Sequence, residues 1–215
     1  GIRLAKRGVL FDEMRMQHSV SPSWRHLSYP YLIRYEGEIY CIPETHQMRE
    51  VAIYKAEEYP AKWEKVCVII EGSAIADATV IQHDGYWWLF GTDCDVDSSS
   101  KLYLWYAEDL FGHWKEHPQY PVKSDVRSSR PAGTPFFYKG QLYRPAQDCS
   151  KTYGGRIAIN RVLQLTTTEF KEEVAIWLNP YEESPYPHGI HTISSVGDKT
   201  IIDSKKITFD IYHFV

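Results

Sequence analysis

The chain has 215 residues, of which 43% are apolar and 24% charged, with a net charge of −4. That balance excludes a disordered chain and supports one domain with a sizeable core, or two small ones. No basic cluster is long enough to track phosphates, so nucleic acid is not expected as a partner, and no apolar run approaches the about 20 residues of a membrane span.

The first stretch, GIRLAKRGVLFDEMRM, carries basic residues but no apolar h-region, so it does not read as an intact signal peptide, and a cytoplasmic location is expected. It reads as one strand and a connection, the latter half of a larger unit. Three fuller units follow, each built around a turn glycine: Gly37 in YEGEIY, Gly85 in HDGYWW and Gly140 in YKGQLY. A strand precedes each glycine (YLIRY, TVIQH, PFFY) and another follows it (EIYCI, YWWLF, QLYRP). Glycine tolerates positive φ, which the tight hairpin turn demands. A third strand comes next in each unit, EVAIYKAE, KLYLWYAED and RIAINRVLQL. A short fourth element with an aromatic then closes it, around Trp63, Trp114 and Phe170. A further copy opens at His188, with Gly197 at its turn.

Repeats at intervals of about 50 residues signal propellers or arrays. A four-stranded sheet must bury both faces against neighbours, and radial stacking does so. The expected fold is therefore all-β: an incomplete β-propeller of four-stranded antiparallel blades, forming one domain over 1–215. Residues 1–20 are the remnant of a partly missing first blade. Blades follow at 28–66, 76–117 and 129–173, with the last at 188–215. Helical content should be low, and a β-sandwich is the alternative architecture. The C-terminal strand near Ile207–Phe214 is expected to pair with the remnant, or a second chain to cover the gap, which would give a homodimer.

Polar residues where inner strands begin and hairpins end would converge on a central channel. Those at the strand openings are His26 and Ser28, then Asp77, Arg130, and His188 with His191; those at the hairpin exits are Glu44, Asp93, and Gln147 with Asp148. Asp77 and Glu44 are the candidate acid–base carboxyls. Arg130 offers a planar fork for a carboxylate, phosphate or hydroxyl, and His26, His191, Asp148 and Asp93 are candidate substrate ligands. Asp148 is also suited to capping the turn before Tyr153. The HGIH pair does not define a metal site. Cys41, Cys67, Cys94 and Cys149 are widely spaced and form no CxxC pair, so free thiols are expected rather than a zinc site or a disulfide framework. No metal or cofactor is expected. The aromatic content of 14% suits both sheet packing and stacking on a sugar.

The runs WRHLSYPYLIRYEGEIYCIPE, IADATVIQHDGYWWLFGTD and, above all, SRPAGTPFFYKGQLYRPAQDCSKTYG resemble the N-terminal domain of glucosamine inositolphosphorylceramide transferases and their bacterial relatives. That domain is similar to the five-bladed propeller of arabinanases, xylosidases and related glycosidases, which implies five blades here. The resemblance covers roughly Leu4 to Phe209. It implies that Asp77 is an auxiliary aspartate orienting or tuning a catalytic acid. Those glycosidases take their base from a first-blade strand of Ala-Asp-Pro type that this chain lacks. Where their acid glutamate might be sought, this chain has Arg130. The resulting expectation is a carbohydrate-binding or carbohydrate-processing accessory module with a degenerate glycosidase-like channel, a sugar or glycan as its ligand, and little or no hydrolysis. An active glycoside hydrolase of the propeller type and a non-catalytic scaffold are the alternatives.

Overall fold

A computed structural model of the chain describes residues 15–16 and 28–208. Among these the structure is all-β, with no α-helix and one 3-10 turn, His46–Met48. The first sheet holds β1 (Arg15–Met16), β2 (Ser28–Tyr35), β3 (Glu38–Glu44), β4 (Glu50–Glu58) and β5 (Lys62–Glu71), in the order β1-β5-β4-β3-β2. Strands β2 to β5 are antiparallel, and β1 joins the outer edge parallel to β5. The second sheet holds β6 (Ile75–His83), β7 (Tyr86–Asp93) and β8 (Lys101–Ala107). Its outer place is shared by two short strands on β8, β9 (Lys115–Glu116) and β10 (Lys123–Ser124), so the unit runs past residue 117. Pro118 and Pro121 lie between them and have no N–H to give a ladder. The third sheet is β11 (Phe136–Tyr138), β12 (Gln141–Asp148), β13 (Arg156–Leu165) and β14 (Phe170–Leu178), and β15 (Ile193–Val196) with β16 (Lys199–Ile202) form a final hairpin. The remnant expected at 1–20 lies outside the described residues except for β1, as does most of the C-terminal segment expected to pair with it.

The inner hairpins form as their sequences predict. Glu36–Gly37, Asp84–Gly85 and Lys139–Gly140 all have positive φ, the conformation of a two-residue turn whose twist matches the flanking strands. Sheets then stack face to face in chain order. Strand β7 shows why YWWLF has no polar alternation. Trp87 and Leu89 pack toward the first sheet with Tyr31, Ile33 and Ile42, while Trp88 and Phe90 pack toward the third with Leu142, Val162 and Phe170. A strand buried on both faces has no solvent side to make polar.

An ion network joins the second and third sheets. Arg144 on β12 holds Glu172 on β14 with two bonds, Nε to Oε2 at 2.9 Å and Nη2 to Oε1 at 2.6 Å. Nη2 and Nη1 also reach the carbonyls of Ser128 and Ser129, at 2.8 and 3.0 Å. Lys123 on β10 adds a third cation contact to Glu172 at 2.8 Å. Arg144 and Glu172 side chains are each 1% exposed.

Two inner strands break register near their start, between Ser28 and Tyr31 and between Ala76 and Thr79. At these bulges Tyr29 and Asp77 adopt left-handed φ of 44° and 51°. The third sheet breaks between the Pro131–Ala146 bridge and the Phe136–Tyr143 pair, and there Gly133 has φ 127°. A bulge re-aims the side chain it carries, and these bulges stand beside the residues described next.

Candidate functional site

Asp77 is the centre of a buried polar cluster drawn from the first three sheets and the connections between them. Its carboxylate Oδ2 accepts from Arg130 Nε at 2.7 Å and from Gln147 Nε2 at 3.1 Å. Arg130 also donates Nη1 to the Ser98 carbonyl at 2.9 Å, and Gln147 donates to the Pro131 carbonyl at 3.0 Å. The backbone N–H of Asp77 donates to Glu44 Oε2 at 3.1 Å. Glu44 Oε1 in turn takes the Ser28 hydroxyl at 3.1 Å and meets His46 Nδ1 at 2.9 Å. Tyr29, on the neighbouring bulge, meets the Thr79 hydroxyl at 3.1 Å, and that hydroxyl also bonds the Asp77 carbonyl.

The electrostatics separate the two carboxyls. Burial pushes Asp77 up to about 6; Arg130 pulls against that rise, and the charge of Glu44 adds to it. Burial also acts on Glu44, but the Asp77 N–H, His46 and the Ser28 hydroxyl outweigh it and hold the group below the usual carboxylate range. For Arg130 burial opposes the charge, and Asp77 more than compensates, so the guanidinium stays charged.

On the far side of Arg130 lies the Tyr153 ring, 4.9 Å from the guanidinium carbon. The Tyr153 hydroxyl bonds His191 Nε2, and His191 Nδ1 bonds Asp203 Oδ2 at 2.9 Å. The expected residues therefore divide. Asp77, Arg130, Glu44 and His191 come together, with Ser28 at the edge. Asp93 does not join them: its carboxylate accepts from the Asp95 N–H at 2.9 Å, within its own turn. Asp148 likewise caps its turn through the Ser150 N–H and hydroxyl and pairs with Arg156 at 2.8 Å. His188 and His191 diverge, the first accepting from the Ile207 N–H at 2.7 Å. His26 lies outside the described residues. All four cysteines are free thiols.

The register explains the Asp93 and Asp148 placements. The seventh residue after each turn glycine is Glu44, Thr92 and Gln147. All three are buried, and two of them touch Asp77. Asp93 and Asp148 are one residue further on, and one residue along a strand is the opposite face. Counting from the glycines would have selected Thr92, whose hydroxyl is buried without a hydrogen-bond partner among the described residues. Asp203 and the role of Tyr153 carry no such signal, because only the tertiary fold brings them to His191.

The family described as "Glucosamine inositolphosphorylceramide transferase 1, N-terminal" matches residues 8–186. The glucosamine inositolphosphorylceramide transferase 1 of Oryza sativa subsp. japonica is 38% identical over 170 residues, which is 77% of this chain and 21% of that protein. The protein of the same name from Arabidopsis thaliana is 34% identical with the same coverage. The chain thus spans about a fifth of the length of these relatives. Among solved structures, Bacteroides ovatus Xyloglucan PUL GH43B aligns with a TM-score of 0.55 and 17% identity, covering 83% of this chain and 35% of that one. The GH43_1 enzyme from Xanthomonas citri complexed with xylotriose aligns with a TM-score of 0.53 and 11% identity, over 90% and 70% of the two chains. These likenesses show the fold, which is propeller-like and glycosidase-like. At that level of identity they show nothing of the chemistry. On the match over most of its length, the chain belongs to the glucosamine inositolphosphorylceramide transferase 1 N-terminal family.

Proposed function

We propose that this is a carbohydrate-binding module on a five-bladed propeller plan, whose glycosidase-like site holds a sugar without cleaving a glycosidic bond. The observation that carries this reading is the division of labour between the two carboxyls. Glycoside hydrolysis uses a pair of carboxyl groups flanking the scissile bond. Here Glu44 is consumed by the Asp77 N–H, Ser28 and His46, and Asp77 Oδ2 by Arg130 and Gln147. Among the described residues no hydrogen bond engages Asp77 Oδ1, an acceptor, or Arg130 Nη2, a donor. An acceptor and a donor of this kind suit hydroxyls, which both donate and accept.

Calorimetry against neutral and carboxylated mono- and oligosaccharides tests the proposal. Saturable binding is expected, weakened about tenfold or more by Arg130→Ala, which removes a charged hydrogen-bond donor, with no turnover of aryl glycosides. Turnover abolished by Asp77→Asn would establish the hydrolase instead. Absence of binding to every glycan would leave a scaffold.

Binding should also depend on pH with a defined sign. A carboxyl raised to about 6 is protonated below that value and loses its capacity as a purely accepting, charged partner. Affinity is therefore expected to rise from pH 5 to pH 7.5. The same raised value acts oppositely on folding: the contribution of Asp77 to stability is greatest below its unfolded value of about 3.9 and is lost as pH rises through about 6. Affinity that stays flat across pH 5 to 7.5 would remove Asp77 from the binding site.

A further inference from the structure

Tyr153, His191 and Asp203 are connected in series. Asp203 Oδ1 accepts the backbone N–H groups of His191 and Thr192 at 2.9 and 2.6 Å, and Oδ2 faces His191 Nδ1 at 2.9 Å. Burial acts to raise Asp203, but His191 and these N–H groups prevail and hold it down at about 2, so it is an ionised acceptor. An acceptor-only carboxylate places the imidazole proton on Nδ1, which leaves Nε2 as the acceptor for the Tyr153 hydroxyl. His191 is 5% exposed, whereas Tyr153 is 47% exposed. Among the described residues, the charged groups near this series include Arg130 against the Tyr153 ring, Lys205 on the Tyr153 carbonyl and the Thr152 hydroxyl, and Asp77, whose ionisation feels His191. A half-exposed tyrosine, a buried base bonded to its hydroxyl and a carboxylate orienting that base make up the arrangement that activates an oxygen nucleophile.

We propose that Tyr153 is a nucleophilic oxygen for acyl esters, with His191 as its base, Asp203 as the group positioning that base, and O-acylated sugars as the substrate class. Tyr153 Oη bonds the acyl carbon while its proton passes to His191 Nε2. The ester C–O bond breaks and the departing sugar oxygen takes that proton. Water, deprotonated by the same imidazole, then releases the acid and restores the phenol. The Arg130 guanidinium, 4.9 Å from the Tyr153 ring, is the cation assigned to offset the charge that the carbonyl oxygen gains. The choice of a sugar ester rests on the binding reading above; the chemistry of Tyr153 does not, and is measured with an ester that contains no sugar.

The test uses p-nitrophenyl acetate on the whole chain, with acetylated residues located by peptide mass spectrometry. Tyr138 is an internal reference, since it is more exposed at 58% and has Lys139 over its ring at 5.3 Å, but no imidazole bonds its hydroxyl among the described residues. Tyr153 is expected to be acetylated about 10²-fold faster than Tyr138, the scale of a positioned base. A rate carried by an imidazole base levels off once that base is neutral, whereas a lone phenol keeps gaining toward about pH 10. Because Asp203 also holds two backbone N–H groups, His191→Gln is the second variant beside Asp203→Asn. It keeps a polar acceptor for Tyr153 but cannot take its proton. Loss of the plateau in either variant, with the circular dichroism unchanged, supports the relay. Acetylation of Tyr153 no faster than Tyr138, or an unchanged rate in His191→Gln, overturns it. Protection of Tyr153 by sugars that bind in calorimetry, and release of acetate from an acetylated methyl glycoside, support the substrate class. Fast acetylation with neither overturns the sugar-ester assignment while leaving the relay in place.

Discussion

Replacing Glu172 with alanine is expected to destabilise the fold by about 3–5 kcal/mol, because it strands the guanidinium of Arg144 in a dry interior. Arg144 is 1% exposed, and two of its donors would lose their acceptor at once. Burial works against the Glu172 charge, yet Arg144 and then Lys123 keep it ionised, so the carboxylate contributes its full charge to the network. For a domain of this size the loss corresponds to a fall in Tm of about 6–20 °C. The double variant Glu172→Ala with Arg144→Met should recover part of it, since it removes the orphaned guanidinium and leaves only Lys123, 17% exposed, without the Glu172 carboxylate. Thermal and urea unfolding of the two variants decide the matter. A single variant as stable as the parent would mean that water reaches Arg144.

Gly133→Ala is expected to have an effect of similar size through a different cause. A Cβ at this position would lie 1.8 Å from the Ile193 carbonyl oxygen and 2.8 Å from its carbonyl carbon, both backbone atoms that no rotamer change can move. The φ of 127° is itself a region that side chains rarely adopt. The final hairpin leans on this point, where Ile193 N donates to the Ala132 carbonyl at 2.8 Å. Substitution should therefore cost more than about 3 kcal/mol, in the range of core steric defects. It should also release the hairpin and displace His191. Hydrogen exchange over residues 188–205 should accelerate far more than exchange in β7 or β8. Uniform exchange with an unchanged Tm would show that the hairpin does not depend on this contact.

What could be read from the sequence follows the range of the interactions. The hairpins of Gly37, Gly85 and Gly140 are local, so their turns and strands were legible. Asp77 and Arg130 are singled out from the sequence as polar residues opening inner strands, and the structure joins them at 2.7 Å. Asp93 and Asp148 are singled out with them but lie one position beyond the buried Thr92 and Gln147, since an acidic residue at a strand end attracts attention whichever face it occupies. Arg144 and Glu172 were not seen at all: a charge inside a strand reads as a solvent-facing residue until its partner two strands away is known. The series Tyr153, His191 and Asp203 spans separate loops, and nothing short of the packed sheets aligns it.

Glu44, Thr92 and Gln147 occupy the same register position in three separately paired sheets. The consequence is one of inheritance. A codon change at any of these positions alters what the site presents while leaving the turn glycines and inner-strand ladders unedited. On the sugar-binding reading, preference for a ligand would drift among descendants of one gene by single substitutions, without a new fold. At Thr92, which is 0% exposed and whose hydroxyl bonds nothing among the described residues, such a change gives up no hydrogen bond but has to keep the volume of a packed position.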